Sequence, residues 1–279
     1  MTKAYSRTEV VARLRKTNDE GRPILVGSTS TGMSAKFAEK GGCDMVAVYS
    51  VGYFRWSGQA GQLAFMPYGD ANEIVLEKLA PHVLPAVKEI PVIAGIGAHD
   101  PFRRMEDLLK RATDMGFSGV QNVPFTGFYG DHLNKELEAG GIGFSREVEM
   151  IRKAHQREMF TIGFAFTPEQ GEKMAEAGAD MIVPHCGLTT GGDKGASISI
   201  KMDEAVQLTQ SIVKAAKAVN PNLLFVSHGG PIESPEEVKY VLEHTDVNGY
   251  FAGSGLERIP IEKALVETTK EFKALQYKK

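Results

Sequence analysis

Gly178-Ala179-Asp180-Met181-Ile182-Val183-Pro184 is one of three near-copies in the chain. The others are Gly42-Cys43-Asp44-Met45-Val46-Ala47-Val48 and Gly116-Phe117-Ser118-Gly119-Val120-Gln121-Asn122. Each follows a helix-like segment and runs from glycine into a short apolar stretch that ends in polar residues. Glycine past a helix end supplies the left-handed conformation that terminates it. A stretch apolar on both faces suits a strand covered on both sides in a parallel sheet. The repeating unit is therefore helix, glycine, buried strand.

Working outward from these copies, eight strand candidates emerge: Ile24–Ser28, Met45–Ser50, Val92–Ile96, Gly119–Val123, Phe160–Phe164, Met181–His185, Leu223–His228 and Gly249–Gly253. Helical patterning follows each. Asp100-Pro101 predicts one helix start, an N-cap residue with proline at the first helical position. Pro168, Pro235 and Pro260 predict three more. Eight strands alternating with helices make an α/β chain, a (β/α)8 TIM barrel. The rival is a doubly wound open sheet, but Gly27-Ser28-Thr29-Ser30-Thr31-Gly32 matches its G-x-G-x-x-G turn poorly. An extra amphipathic helix, Thr8 to Asn18 within an extension over 1–22, closes the barrel floor or forms an oligomer contact. Without a linker or low-complexity segment, residues 1–279 read as one domain.

Composition narrows the classes of function. The 279 residues are 42% hydrophobic with a net charge of −3, enough for a large core. No Lys/Arg cluster marks a nucleic-acid footprint, and no apolar run approaches the ~20 residues that span a bilayer. The first residues lack the apolar core of a signal peptide. Two cysteines, Cys43 and Cys186, offer neither a disulfide framework nor zinc spacing. The expectation is a cytoplasmic protein without nucleic-acid or membrane partners.

Barrel sites are assembled from residues just past the C-terminal ends of the strands. No lysine stands there, so a Schiff-base aldolase lacks its amine. Nor does a carboxylate; Asp70, Asp100, Asp131, Asp193 and Glu257 lie in loops. His185 and His228 end adjacent strands, and imidazoles near neutrality suit acid–base work. With Asp100 or Asp193 the same pair is a candidate metal set. Ser227-His228-Gly229-Gly230 and Gly253-Ser254-Gly255, with Arg258 close by, suit an anion site built on backbone N–H groups and a guanidinium. The other reading of these glycines is tight turns. Thr189 to Gly195 is a polar loop whose Asp193 or Lys194 reaches a substrate or only solvent. Cys186 beside His185 reads as a packed thiol rather than a nucleophile. Two long loops, Gly52 to Pro67 with Tyr53, Phe54, Arg55 and Trp56, and Pro124 to Phe144 with Phe125 and Phe128, read as lids or subunit contacts.

Gly32-Met33-Ser34-Ala35-Lys36-Phe37-Ala38-Glu39-Lys40-Gly41-Gly42-Cys43-Asp44, followed by Val48-Tyr49-Ser50, resembles the opening of the phosphoenolpyruvate mutase/isocitrate lyase superfamily. Asn122-Val123-Pro124, Glu147-Val148-Glu149-Met150-Ile151, Pro184-His185, His228-Gly229-Gly230-Pro231-Ile232 and Gly253-Ser254 with Arg258 narrow the resemblance to its phosphoenolpyruvate hydrolase-like, or phosphonopyruvate hydrolase-like, barrels. That resemblance implies a homo-oligomer and a hydrolase or C–C/C–P lyase acting on a small anionic oxo-acid. In this assignment His185, His228, Ser50 and Asn122 are catalytic. Ser28, Gly229, Gly230, Gly253, Ser254 and Arg258 hold the anion. The resemblance also implies Mg2+ held by carboxylates after the third and fourth strands. Ala94-Gly95-Ile96-Gly97 and Gln121-Asn122-Val123 stand there instead, so the cofactor is left unassigned. The wider family includes barrels in plant resistance proteins that bind a viral replication protein. The alternative is therefore a non-catalytic small-anion sensor or protein-interaction barrel.

Overall fold

The computed structural model describes residues 3–277. Eight parallel strands, β1 (Ile24–Ser28), β2 (Met45–Val48), β3 (Val92–Gly95), β4 (Gly119–Gln121), β5 (Phe160–Ala165), β6 (Met181–Pro184), β7 (Leu224–Ser227) and β8 (Gly249–Ala252), close into a barrel. The chain is a (β/α)8 barrel. Closure rests on β8 pairing with β1, Ile24 opposite Gly249 and Gly27 opposite Ala252. A Cβ at Gly249 would lie 2.0 Å from the Ile24 carbonyl oxygen, so only glycine lets the last strand approach the first.

Alternation along each strand divides the apolar side chains into two layers. Ile24, Met45, Ile93, Phe160, Met181 and Leu224 fill the barrel interior. Val46, Val92, Val120, Ile182 and Phe225 face outward against the helices. Most strands stop a residue or two before the sequence predicts, because their last residues turn away from the ladder. Ser50 instead opens the helix Ser50–Trp56, and His185 and His228 are joined only by an isolated parallel bridge.

The N-terminal helix spans Arg7–Asp19, fixed at its start by a capping box between Ser6 and Glu9. Val10 and Leu14 enter the interior layer from below. The Tyr5 N–H donates to Ser118 Oγ at 3.0 Å and Arg7 Nε to Asp180 Oδ1 at 2.9 Å, both partners lying before strand starts. Of the two readings of this helix, the structure has it on the barrel floor.

The helices opened by Pro168, Pro235 and Pro260 form at the predicted places. Three local expectations are corrected. Asp100 does not start a helix at Pro101; its carboxylate accepts from the N–H groups of Phe102 and Arg103, both at 2.9 Å, and the helix runs Met105–Met115. The stretch after β2 is no open loop: it holds the Ser50–Trp56 helix and a 3-10 turn, Gly61–Phe65. That after β4 contains the helix Asp131–Ala139. A further helical run begins at Ala71 and includes a π-helical stretch, Ile74–Leu79, where the Ala80 N–H reaches back to Val75 O. Pro81 follows directly, and a proline that can neither donate nor clear the preceding turn favours such a widened turn.

Leu14 is 1% exposed in the floor layer. Leu14→Ala is expected to lower stability by roughly 2–5 kcal/mol in urea titration. A loss well under about 1 kcal/mol would mean that the floor helix unfolds independently of the barrel.

Candidate functional site

At the C-terminal rim a cavity of about 60 Å³ opens between the strand ends and the loops. Tyr49, Val123, Phe164, His185, His228 and Ser254 face it from the strand ends. Arg55, Phe65, Phe125, Phe128, Lys194 and Arg258 face it from the loops. The two long loops meet there: Phe65 packs on Phe128 with ring centroids 5.0 Å apart, and the Tyr129 hydroxyl donates to Phe65 O at 3.0 Å.

The two imidazoles stand 4.7 Å apart, centroid to centroid. His185 stacks on Phe166 at 4.6 Å and touches Phe125 and Phe128 edge-on, so little water reaches it. Burial is the main reason its pKa lies well below the ordinary imidazole value, and neighbouring His228 adds to it. Burial likewise takes His228 down to about 4, with the Arg55 charge contributing against a hydrogen bond to Phe251. Both rings are neutral near pH 7.

Backbone groups then fix which nitrogen carries hydrogen. The Gly187 N–H donates to His185 Nδ1 at 3.0 Å, so that nitrogen holds a lone pair and Nε2 bears the hydrogen. His228 Nδ1 lies 2.8 Å from the Phe251 carbonyl, which only accepts, so here Nδ1 bears hydrogen and Nε2 the lone pair. The pair carries one N–H donor and one acceptor on its two Nε2 atoms.

The charge on the cavity wall is positive. Arg55, Lys194 and Arg258 line it, and among the described residues no Asp or Glu does. Arg55 Nη2 is 2.7 Å from Glu257 Oε2, with the two side chains 7% and 1% exposed. Trp56 Nε1 donates to the same carboxylate at 2.9 Å. Burial opposes the Arg55 charge, but Tyr49 and Glu257 outweigh it and raise its pKa. Its Nε–H is buried without a partner, a deficit on the order of 1–3 kcal/mol.

His185, His228, Ser254 and Arg258, predicted from strand ends, converge on the cavity together with Lys194 of the polar loop. The other predicted residues stand elsewhere. Ser28 lies one layer back, accepting from Arg55 Nη2 at 2.7 Å and donating to Glu257 at 3.0 Å. Gly253 makes room for an imidazole: a Cβ there would lie 2.9 Å from His228 Cε1. Gly229 and Gly230 are left-handed, φ 79° and 60°, and the Gly230 N–H donates to Gly187 O at 2.9 Å. These two glycines fasten neighbouring loops and present no N–H to the cavity. Asn122 is occupied, its Oδ1 accepting from the Phe164 N–H at 2.7 Å and its Nδ2 donating to Glu147 at 2.6 Å. Ser50 is buried under the rim, off the cavity, its hydroxyl unpartnered. Cys186 packs against Thr209 Oγ1 at 3.3 Å, its thiol pKa raised by burial, as a packed thiol should be.

Sequence reasoning missed two residues. Arg55 was quoted only as part of an aromatic loop, and nothing local revealed its distant partner Glu257. Glu147 is wholly buried, and burial pushes its carboxyl up to about 7 against donors from Thr126 and Asn122. It anchors the chain around Phe125, a cavity residue.

Residues 9–275 match the sequence profile of the family described as phosphoenolpyruvate hydrolase-like. The chain belongs to this family. Among relatives, ToMV resistance protein Tm-1(GCR237) of Solanum lycopersicum is 43% identical over 270 residues, 96% of this chain and 36% of that protein. The chain thus spans about a third of that relative's length. Among solved structures, a phosphoenolpyruvate phosphomutase from Streptomyces platensis subsp. rosaceus superposes with TM-score 0.60 at 14% identity, covering 94% of this chain and 86% of that one. A phosphonopyruvate hydrolase in complex with oxalate and Mg2+ gives TM-score 0.58 at 18% identity, covering 97% and 85%. At such identities these structures share the barrel fold.

The cavity of this phosphoenolpyruvate hydrolase-like family member does not suit a divalent metal. Mg2+ prefers an octahedron of oxygens that includes carboxylates. Among the described residues no three His, Cys, Asp or Glu side chains converge. Asp100 is taken up by Asn72 and Arg103, and Asp193 is paired with Lys194 outside the cavity. A dication in the cavity would meet the cationic ends of three ion pairs and no carboxylate ligand.

The histidines leave a signature in stability. An unfolded imidazole takes up a proton near its ordinary 6.5, whereas folded His228 holds out to about 4. Stability is therefore full above about pH 6.5 and falls toward pH 4, by about 3 kcal/mol for His228 alone. Glu147, raised to about 7, acts in the opposite sense, its contribution present below 4.5 and lost as pH rises through 7. His228→Asn keeps a donor for Phe251 O but cannot titrate. Urea titrations should show it losing about 3 kcal/mol less than the wild type on acidification; parallel profiles would contradict the neutral, buried assignment.

Proposed function

We propose that the chain is an enzyme that cleaves a small anionic oxo-acid of the phosphoenolpyruvate or phosphonopyruvate kind. The observation that carries this reading is a cavity with three cationic side chains, no carboxylate and two neutral imidazoles of opposite hydrogen-bonding sense. The cavity of about 60 Å³ holds roughly four to six water-sized groups, room for the about six heavy atoms of the pyruvate part of such a substrate, with its phosphorus group outside. The names of the solved relatives and of the family agree with this substrate class.

Breaking the C–C or C–P bond of an oxo-acid beside its carbonyl, or the P–O bond of an enol phosphate, leaves the electron pair in an enolate shared by the α-carbon and the oxygen. That oxygen needs preorganised donors where the charge develops. Neutral His185, with hydrogen on Nε2, is too weak an acid to protonate it but serves as a hydrogen-bond donor. His228, with a free Nε2 lone pair, removes a proton from the attacking water or the departing hydroxyl and returns it to the α-carbon. Arg258 and Lys194 hold the carboxylate. Ser254 orients it, and the Phe125–Phe128 pair excludes water.

A second reading, an interaction barrel, draws support from the tomato resistance relative and from the helix Ile259–Ala274. That helix has no buried residue and leaves Leu265 and Phe272 64% and 71% exposed. The two readings separate in one experiment. A thermal-shift screen against pyruvate, phosphoenolpyruvate, phosphonopyruvate and oxaloacetate, followed by turnover assays, should find a ligand that raises Tm and is consumed. His228→Ala should lower kcat by about 10²–10⁴-fold. A ligand that binds without turnover would favour the non-catalytic reading, and turnover unchanged in His185→Ala/His228→Ala would remove both histidines from the mechanism.

A further inference from the structure

The three cations of the cavity are each paired with a carboxylate, and the pairs are oriented. Arg55 meets Glu257 at 2.7 Å, Arg258 meets Glu262 at 2.8 Å and Lys194 meets Asp193 at 3.4 Å. All six side chains line a groove of about 520 Å³ that adjoins the cavity. Only the three cations also line the cavity itself. The partition between the two spaces is therefore a wall of ion pairs, positive toward the histidines and carrying both signs toward the groove. Behind Arg55 the carboxylate is buried, Glu257 being 1% exposed, and holds the guanidinium in place.

Within this wall Arg55 is set apart. It is held on one side by Glu257, Ser28 and Tyr49 through Nη2, at 2.7, 2.7 and 3.2 Å. Its Nε–H is buried and unpartnered, and Nη1 reaches only Ser254 Oγ at 3.5 Å, itself a cavity residue. Three partners fix the guanidinium while some of its donors remain unused. That is the arrangement of a group prepared for an anion rather than of one completing a structural bridge.

We propose that Arg55 performs in this chain the electrostatic task of a divalent cation, so that the site binds its oxo-acid and stabilises the enolate oxygen without metal. This rests on the oxo-acid reading above. Arg55 supplies a fixed positive charge with an unpartnered Nε–H and an Nη1 held only by a long bond to Ser254, while Lys194 and Arg258 balance the substrate carboxylate. His185 adds a neutral donor. Positive side chains that would repel Mg2+ at this wall are the same ones that replace it.

Oxalate, a planar dianion shaped like the pyruvate enolate, is the probe. Isothermal titration of the EDTA-treated full chain should give a measurable Kd that excess Mg2+ leaves unchanged within about twofold. Arg55→Lys, which keeps the charge and the Glu257 pairing but loses the fork, should bind about tenfold more weakly. Arg55→Gln/Glu257→Gln removes both buried charges together and should bind about 100-fold more weakly in either condition. Should oxalate or pyruvate bind only when Mg2+ is added, the metal-free assignment falls while the oxo-acid reading stands. Unaltered affinity in both Arg55 variants would remove Arg55 from the site. If no oxo-acid binds with or without Mg2+, the functional reading itself fails, and this inference with it.

Discussion

Everything at the rim depends on the ring of backbone hydrogen bonds closing where β8 meets β1. Eight parallel strands, once joined, aim all their C-terminal ends at one opening, and residues distant in sequence meet there as a matter of geometry. The joint itself is narrow, because Gly249 must pass against the Ile24 carbonyl with no room for a methyl group. The N-terminal helix covers the opposite end with Val10 and Leu14, so water is excluded from below while the upper rim stays free for chemistry.

On that rim, electrostatics and packing divide the work. Aromatic rings around His185 strip water from the imidazoles and hold them neutral. The ion pairs on the other wall keep their charge through close hydrogen-bonded contact. A buried Arg–Glu pair contributes little net stability, since desolvation offsets most of the attraction. Its retention at a cavity wall is more readily understood as placement of charge than as reinforcement of the fold.

Much of this was legible in the sequence, for physical reasons. Buried strands flanked by glycine repeat a recognisable unit, and prolines at Pro168, Pro235 and Pro260 mark helix starts because each needs the φ that proline already has. His185, His228, Ser254 and Arg258 followed from their positions relative to strand ends. Asn122 turns away from the cavity, and the signal for that was present: alternation along β4 turns Val123 inward, so its neighbour faces Glu147 and β5 instead. Glycines 229 and 230 were ambiguous, since a left-handed turn serves loop packing as well as anion binding. Arg55 lay beyond reach, because its meaning comes from Glu257 near the other end of the chain. Pro101 misled because Asp100 used its carboxylate to close a turn before any helix could form.

The tautomers of the two histidines are dictated by the Gly187 amide and the Phe251 carbonyl, main-chain groups that every residue except proline supplies. Side-chain drift in the surrounding loops can therefore alter what fits the chamber but cannot reverse which ring gives and which receives. The direction of proton traffic is inscribed in the main chain, and it would be inherited by any descendant that keeps the cylinder intact.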